Sequence, residues 1–488
     1  MRFFQSIAAV AALASALPLA FVGCGGDDEP GDTTGAGGAA GDGGSGGTTT
    51  TTTGMGGMGE GGTTTTTTGM GGMGGVVGDG GGGGAEPTEC DLSGDGKDSE
   101  TLPTVIDEDM TLTSDTVWVI EGFVGVTDGA TLTIEPCTRI EGTKDPVGVL
   151  LVLSDGQIDA VGTADEPILF TSQEDEGERA AGDWGGVVLL GDAPITASSA
   201  SKIYEGLSED DFPDFEAPVY GGDNDDHSSG TMSYVRIEFS GFQIQAEKEV
   251  NGLSMAGVGA GTQIDHIMVS NTSDDCFEWW GGAMENADYL ICNNPGDDYF
   301  DTDEGWAGTG SFWFGRRTSV DAISSGDPNG FEWDSISDGT EPRTNVAVSN
   351  VTMCGTGEEI AGGVQYGMVL RELITGEIDN LALLGFDYGI DTRDGFEPGD
   401  VTIENSLFWD LAEAIGFTDG NTTDTDAEAD AVPFSEDDSN EEPEDPPFTL
   451  ANCNNPNGPG NATRDSDVGA FAGDADWMNG LWVDWAED

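Results

Sequence analysis

Short apolar runs rich in Val, Ile and Leu recur along most of this 488-residue chain, each closed by a turn residue. They read ATLTIEP (Ala130 to Pro136), VGVLLVL (Val147 to Leu153), EPILFTS (Glu166 to Ser172), YVRIEFSG (Tyr234 to Gly241), DHIMVSN (Asp265 to Asn271), DYLICNN (Asp288 to Asn294), VSNVTMCG (Val348 to Gly355), IDNLALLG (Ile378 to Gly385) and TIENSLFW (Thr402 to Trp409). Runs this short, with no sustained helical period between them, predict strands. One anchor position per run gives the repeat: His266 to Tyr289 is 23 residues, Asn350 to Asn380 is 30 and Asn380 to Asn405 is 25. Such intervals suit one turn of a solenoid whose short strands stack on those of the next turn. The expectation is an all-β, right-handed parallel β-helix. A β-sandwich is the alternative, but it calls for stricter polar/apolar alternation and hairpin dipeptides.

The pattern is different at the N-terminus. An apolar run from Ile7 to Gly23 follows Arg2 and ends at Cys24; at ~16 residues it is shorter than the ~20 of a spanning helix. This layout resembles a bacterial lipoprotein signal peptide, with residues 1–23 removed and Cys24 carrying lipid. Phe21 stands where Leu is usual, while Val22 and Gly23 fit the positions before the cysteine. An ordinary secretory signal cleaved elsewhere is the other reading. Gly25 rather than Asp follows the cysteine, which by resemblance to Gram-negative lipoproteins favours the outer membrane. Residues 24–89 are dominated by Gly and Thr with some Asp and Met, and carry TTTTTTGMGGM at Thr48 to Met58 and again at Thr63 to Met73. So little apolar surface cannot offset ordering entropy. The segment is expected to be a disordered tether spanning roughly 40–50 Å. The protein is thus expected to be exported, to the outer membrane or cell surface, held to the membrane by its lipid anchor.

Residues 90–488 show no second linker before the acidic, Pro-containing stretch from Asp424 to Asp445. One elongated domain with a disordered acidic insertion near 420–447 is the reading that follows. Against 93 acidic residues stand 14 basic ones, for a formal net charge of −79. That excludes a general nucleic-acid binder. The carboxylates either hold metal or keep an exported surface solvated. Assigning Cys24 to lipid leaves Cys90, Cys137, Cys276, Cys292, Cys354 and Cys453, an even set suited to disulfides in an oxidising compartment.

Several phrases together resemble a family of bacterial secreted β-helix proteins and lipoproteins of largely unassigned function. They are LTIEPCTRIEG, GDWGGVVLLGDAPI (Gly182 to Ile195), YVRIEFSG, SDDCFEWWGG (Ser273 to Gly282), DDYFDTDEGWAG (Asp297 to Gly308), NGFEWDSISDGTEPR (Asn329 to Arg343) and DVGAFAGDADWMNGLW (Asp467 to Trp482). The resemblance implies fold and export and carries no agreed activity. Cys137 stands where that family more often has Gly after the Glu-Pro pair, which points to a local disulfide. Cys90 with Cys137 and Cys354 with Cys453 are the expected pairs. Cys276 with Cys292 is then left over, although the 23-residue register puts these two in different columns.

The strongest chemical signal is an acidic pair repeated at one turn. Asp274, Asp275 and Phe277 form D-D-x-F, and Asp297, Asp298 and Phe300 form it again 23 residues on. If that register holds, the pairs stack at the ~4.8 Å strand spacing, and like charges there repel by roughly 3 kcal/mol at an effective dielectric of ~20. Either some carboxyls are protonated or a cation sits among them. Asp301, Asp303 and Glu304 add oxygens downstream, and a ligand set without His or Cys argues for Ca²⁺. Aspartates that cap turns and face water are the plainer alternative.

Catalysis finds less support. NTSDDC (Asn271 to Cys276) resembles the paired aspartates of polygalacturonases, but no Gly-His-Gly or Arg-Ile-Lys accompanies it, and the chain has only two histidines, His227 and His266. A pectate-lyase mechanism would need a basic residue near Ca²⁺; Arg316, Arg317 and Arg371 are candidates that no motif ties to the acidic cluster. Trp279, Trp280, Trp306, Trp313 and Trp333 crowd the same coils and could line a glycan or peptide groove, or fill the core. The function expected is a surface lipoprotein displaying a Ca²⁺-stabilised β-helix for recognition or adhesion, its ligand a glycan or an envelope partner. A polysaccharide lyase or hydrolase is the rival, and a purely structural envelope protein the third reading.

Overall fold

Nearly every apolar run becomes a short strand hydrogen-bonded in parallel to its counterpart one turn away. In the computed structural model the described residues are 90–485, apart from 197–198, 246–247, 337–338, 394–395, 397–399, 412–416, 420–439 and 441–442. The expected signal peptide, Cys24, the tether and most of the acidic insertion lie outside them. The strands form two long parallel sheets, one of 15 strands and one of 11 among the described residues. A coil contributes a strand to each, and the all-β parallel β-helix expectation holds.

The larger sheet is bent, and the bend explains the sequence anchors. In the first coils it consists of two separate legs, such as Gln157–Val161 and Ile168–Ser172, and the strand Gly230–Glu238 then pairs with both at once. At that point the corner shrinks to a single residue with positive φ. It is Tyr234 (54°), His266 (51°), Tyr289 (58°), Phe312 (60°), Asn350 (56°), Asn380 (63°) and Asn405 (52°) in successive coils. A left-handed residue between two extended segments turns the chain in one step, and Asn tolerates it better than most residues. The aromatic members offset that cost by stacking on the outside, His266 lying between Tyr234 (4.2 Å) and Tyr289 (4.4 Å) and Tyr289 on Phe312 (4.8 Å).

Inward side chains fill the bore. Phe277 stacks on Phe300 at 5.5 Å, and Trp279 stacks on Trp306 at 4.8 Å and on Trp313 at 5.4 Å. Trp279, Trp306, Trp313 and Trp333 are all fully buried in this core. The expectation that Trp279, Trp306 and Trp333 line a binding groove is therefore corrected: alternation along strands as short as Phe277–Trp280 points every second ring into the solenoid. Trp280 does point outward, yet it too is buried, edge-on to Tyr204 at 5.0 Å.

Three disulfides close the cysteine set: Cys90–Cys137, Cys276–Cys292 and Cys354–Cys453, with Cα separations of 5.4, 5.6 and 6.4 Å. Cys137 has φ 62°, in the region that favours glycine. Cys276 and Cys292 do belong to different sheets, but Cys276 stands at the turn into its strand, its Sγ 3.7 Å from the carbonyl of Val269, whose strand partner is Cys292. The different columns thus meet inside the bore.

Residues 448–485 run back over the outer face of the larger sheet. Phe448, Cys453, Phe471, Trp477, Met478 and Trp482 pack there on Met268, Ile291, Phe314 and Leu384. Asp484 pairs with Arg236 at 2.8 Å, far back along the solenoid.

Candidate functional site

The outer face of the smaller sheet carries carboxylates in register. One outward row runs Ser254, Glu278, Asp301, Glu332, and the row two residues on places Asp303 beside Trp280. Asp334 follows Trp333 and its amide bonds the carbonyl of Thr302, which brings it beside Asp303. Both rows exist because these strands alternate, with Phe277, Trp279, Phe300, Phe331 and Trp333 turned inward and the acids outward.

Ahead of the strands the turns form a side-chain ladder. Asn251 Oδ1 accepts from the amide of Asp275 (3.2 Å), Asp275 Oδ1 from the amide of Asp298 (2.7 Å) and Asp298 Oδ1 from the amide of Asn329 (2.6 Å). The D-D-x-F pairs therefore do stack one turn apart. Asn329 Nδ2 donates to Glu332 Oε2 at 3.0 Å and Asn251 Nδ2 to Glu278, so the ladder also orients the outward row.

Among the described residues two groups of three carboxylates result, each with one oxygen per residue lying within 4.8 Å of the others. They are Asp274, Asp275 and Asp297, and Asp275, Glu278 and Asp301, with Asp275 common to both. Each trio also holds a buried oxygen with no hydrogen-bond partner, Oδ1 of Asp297 in the first and Oδ1 of Asp301 in the second. Burying charge this way is costly unless it is neutralised. Accordingly, burial raises the carboxyl of Asp275 well above its usual range, with Asp274 and Asp301 adding repulsion. Burial does the same to Glu278, with Asp301 and Asp275 adding to it, and to Asp301, with Glu332 adding to it. Asp274 is raised by burial and then by Asp297, while burial pushes Asp297 to about 7 and Asp303 to about 7. Asp334 reaches about 8 through burial and then Asp303. The donors are all oxygen, which fits a hard cation such as Ca²⁺.

Not every residue expected to be a ligand joins the trios. Asp298 is occupied as a ladder rung, both of its oxygens turned to Asn329 at 2.6 and 3.4 Å. Asp303 Oδ1 accepts from the amide of Glu304 at 2.5 Å. Glu304 is a correction: its carboxylate is bound by Lys202 and by the Tyr220 hydroxyl, 2.9 Å away, and anchors the loop that carries them. Glu278, Glu332 and Asp334 were missed by the D-D-x-F pattern. The repeat interval would have found Glu278, which lies 23 residues before Asp301.

Basic residues edge the field. Arg371 pairs with Glu332 at 2.5 Å and Asp334 at 2.7 Å, so of the three candidate arginines this one belongs to the cluster. Burial alone would lower its pKa, but Glu332 and Asp334 more than compensate and hold the guanidinium charged. Arg317 lies beneath the turn, bonding the carbonyls of Pro295 and Asp297. Arg316 faces elsewhere, to Asn293 and over the ring of Trp485. Beside the trios a cavity of about 510 Å³ is lined by Gln243, Glu249, Ser273, Asp274, Asp297, Ser324 and Ser325.

No curated protein and no solved structure matches this chain. The family described as a pectate-lyase like beta helix domain matches residues 104–479, which takes in both sheets apart from the first strand, Asp98–Thr101, together with the carboxylate field and most of the C-terminal segment. The chain belongs to the pectate-lyase-like β-helix family.

Proposed function

We propose that this is an exported, lipid-anchored β-helix protein whose carboxylate field binds Ca²⁺ and, through it, an acidic glycan outside the cell. The observation that carries the reading is the pair of trios joined at Asp275, each with a buried oxygen left without a partner. Two cations there would offset the repulsion and satisfy those oxygens. Three protein oxygens fall short of the 6–8 that Ca²⁺ takes, so positions remain for the carboxylates of a uronate chain in the adjoining cavity. Lipid at Cys24 and the tether would set the domain at the outer membrane or cell surface, where such glycans are met.

Recognition is favoured over cleavage by the state of Arg371. A guanidinium held charged by two carboxylates is suited to binding an anion and poorly suited to removing a proton. The lyase or hydrolase reading keeps one observation in its favour, the same arginine's position within the field.

The test is chelation. Removing Ca²⁺ should lower the unfolding midpoint and abolish binding to polygalacturonate, and adding it back should restore both. A ligand at a hundredfold excess over its Kd stabilises the folded state by about 2.7 kcal/mol. Asp275→Asn removes the shared ligand and should leave a protein whose midpoint no longer responds to chelator. A midpoint indifferent to chelator in the parent protein would end the metal reading. Release of unsaturated uronates from the polymer would decide for the lyase.

A further inference from the structure

The outward row that holds the carboxylates does not begin with them. Toward the N-terminus its register continues as Ser254, Val188 and Leu151, and all three are fully buried although they face away from the bore. Two excursions cover them. One leaves the solenoid after the strand Gly186–Leu190 and the other after Gly230–Glu238, and they come from opposite ends of the strands. The first lays Phe212 against Phe123 at 5.1 Å, and sets Phe215 so close over Gly125 that a Cβ there would lie 2.5 Å from the ring. Its Tyr204 donates to or accepts from Ser254 Oγ at 2.9 Å and caps Trp280 at 5.0 Å. The second excursion, a short hairpin of Gln243–Gln245 and Lys248–Glu249, meets the first where Lys248 pairs with Glu205 at 2.5 Å. The two therefore join across the sheet over Ser254, with the Tyr204 ring reaching Trp280 in the coil of Glu278.

We infer that the binding groove is blind: it is closed at its N-terminal end by the bridge of Tyr204, Glu205 and Lys248, and takes its glycan by a chain end. A chain lying along the solenoid over Glu332 and Asp301 meets Tyr204 where that ring caps Trp280, in the coil of the buried Glu278, and cannot continue over Ser254. The cavity beside Asp274 and Asp297, which Glu249 and Gln243 of the hairpin also line, is the pocket for the terminal sugars. This inference rests on the glycan reading of the carboxylate field and adds the mode of engagement.

The experiment uses the full-length protein with Ca²⁺ and polygalacturonate and alginate as probes, each as long polymer and as the same mass of oligomers cut from it. End-on binding predicts a capacity that rises by the same factor as the number of chain ends. A capacity that follows sugar mass regardless of length means side-on binding and overturns the blind groove while leaving the glycan reading intact. Binding of neither probe at any length overturns both. The bridge can be opened as a second measurement, because Tyr204→Ala combined with Lys248→Ala should raise capacity on long polymer and leave it unchanged on oligomers. Should that variant unfold, Lys248→Ala with Glu205→Ala, two partly exposed positions, serves the same comparison, and equal gains on both lengths would count against the inference.

Discussion

The two outer faces of this solenoid obey one register and end in opposite states. On the larger sheet the outward residues of three neighbouring coils are Met268, Ile291 and Phe314, and the C-terminal segment covers them with Phe471, Trp477 and Trp482. On the smaller sheet the outward residues of the same coils are Glu278, Asp301 and Glu332, and the covering excursion reaches only their margin, where Tyr204 caps Trp280 and Lys202 pairs with Glu304. Inward residues make both faces possible, since the bore is filled by the same aromatic stacking whichever face is considered. A β-helix thus separates packing from surface chemistry by position: alternate residues hold the coil, and the others are free to be sealed or to carry charge.

The covered face should be the one on which stability depends most. Replacing both Cys354 and Cys453 by Ala releases the segment from the solenoid across a separation of 99 residues. Chain-entropy arguments put the loss at up to about 4.7 kcal/mol. Denaturant unfolding should show it, with the midpoint response to chelator unchanged. A lost chelator response would mean that the two faces are coupled and would break the comparison.

Single rings test the same separation from inside and outside. Trp279 lies in the bore under the carboxylates, and Trp482 lies in the cover edge-on to Tyr234 and His266. Each is buried, and truncation of either to Ala is expected to cost about 3–5 kcal/mol. The difference should appear in Ca²⁺ affinity, which Trp279→Ala weakens because Glu278 and Trp280 flank it, and which Trp482→Ala leaves alone. Equal effects on affinity would show that the cover also shapes the field.

How much of this was legible in the sequence follows from the same division. The repeat was legible because the bend needs one left-handed residue per coil, and the anchors His266, Tyr289, Asn350, Asn380 and Asn405 are those residues. Stacking of the Asp pairs followed from it. The direction of individual side chains did not, because a strand of four residues such as FEWW gives too few alternations to set its phase. Hence Trp279, Trp306 and Trp333 were expected at a groove they do not line, and Glu278 was passed over. The role of Asp467 to Trp482 as a cover was also hidden: even a near partner such as Asn380, bonded to Gly469, is 89 residues away, and no local pattern names the surface it meets. The third disulfide was obscured for a similar reason, since different columns can meet across a bore.

Acidity should separate the faces further. In the metal-free protein burial first of all lifts Asp297 and Asp303 to about 7 and Asp334 to about 8. In the unfolded chain such carboxyls ionise near ~4. Between about pH 4 and 8 the folded state therefore holds protons that the unfolded state has released, so this contribution is complete below about pH 4 and is lost as pH rises through 7 to 8. The metal-free midpoint should fall from about pH 5 to about pH 8, and Ca²⁺ should reduce the fall by replacing the protons. A metal-free midpoint that rises over this range would show that the field is solvated and its carboxyls ordinary.

The smallest expected effect lies at the bend, where the covered face begins. Asn380 holds φ 63°, donates from Nδ2 to Asn350 Oδ1 at 2.8 Å, and accepts from the amide of Gly469 in the cover at 3.1 Å. Asn380→Ala loses both bonds and also places a less tolerant residue in the left-handed region, which costs an L-residue about 1–2 kcal/mol. Asn380→Gly loses the same bonds, about 1 kcal/mol each, but carries no such strain. Glycine should therefore be the milder replacement, and neither should alter Ca²⁺ binding, because the carboxylates stand on the other sheet. Equal destabilisation by the two would mean that the side-chain bonds, rather than the backbone angle, set the choice of Asn at this corner, and that the cover is tied to the column more tightly than the bend itself requires.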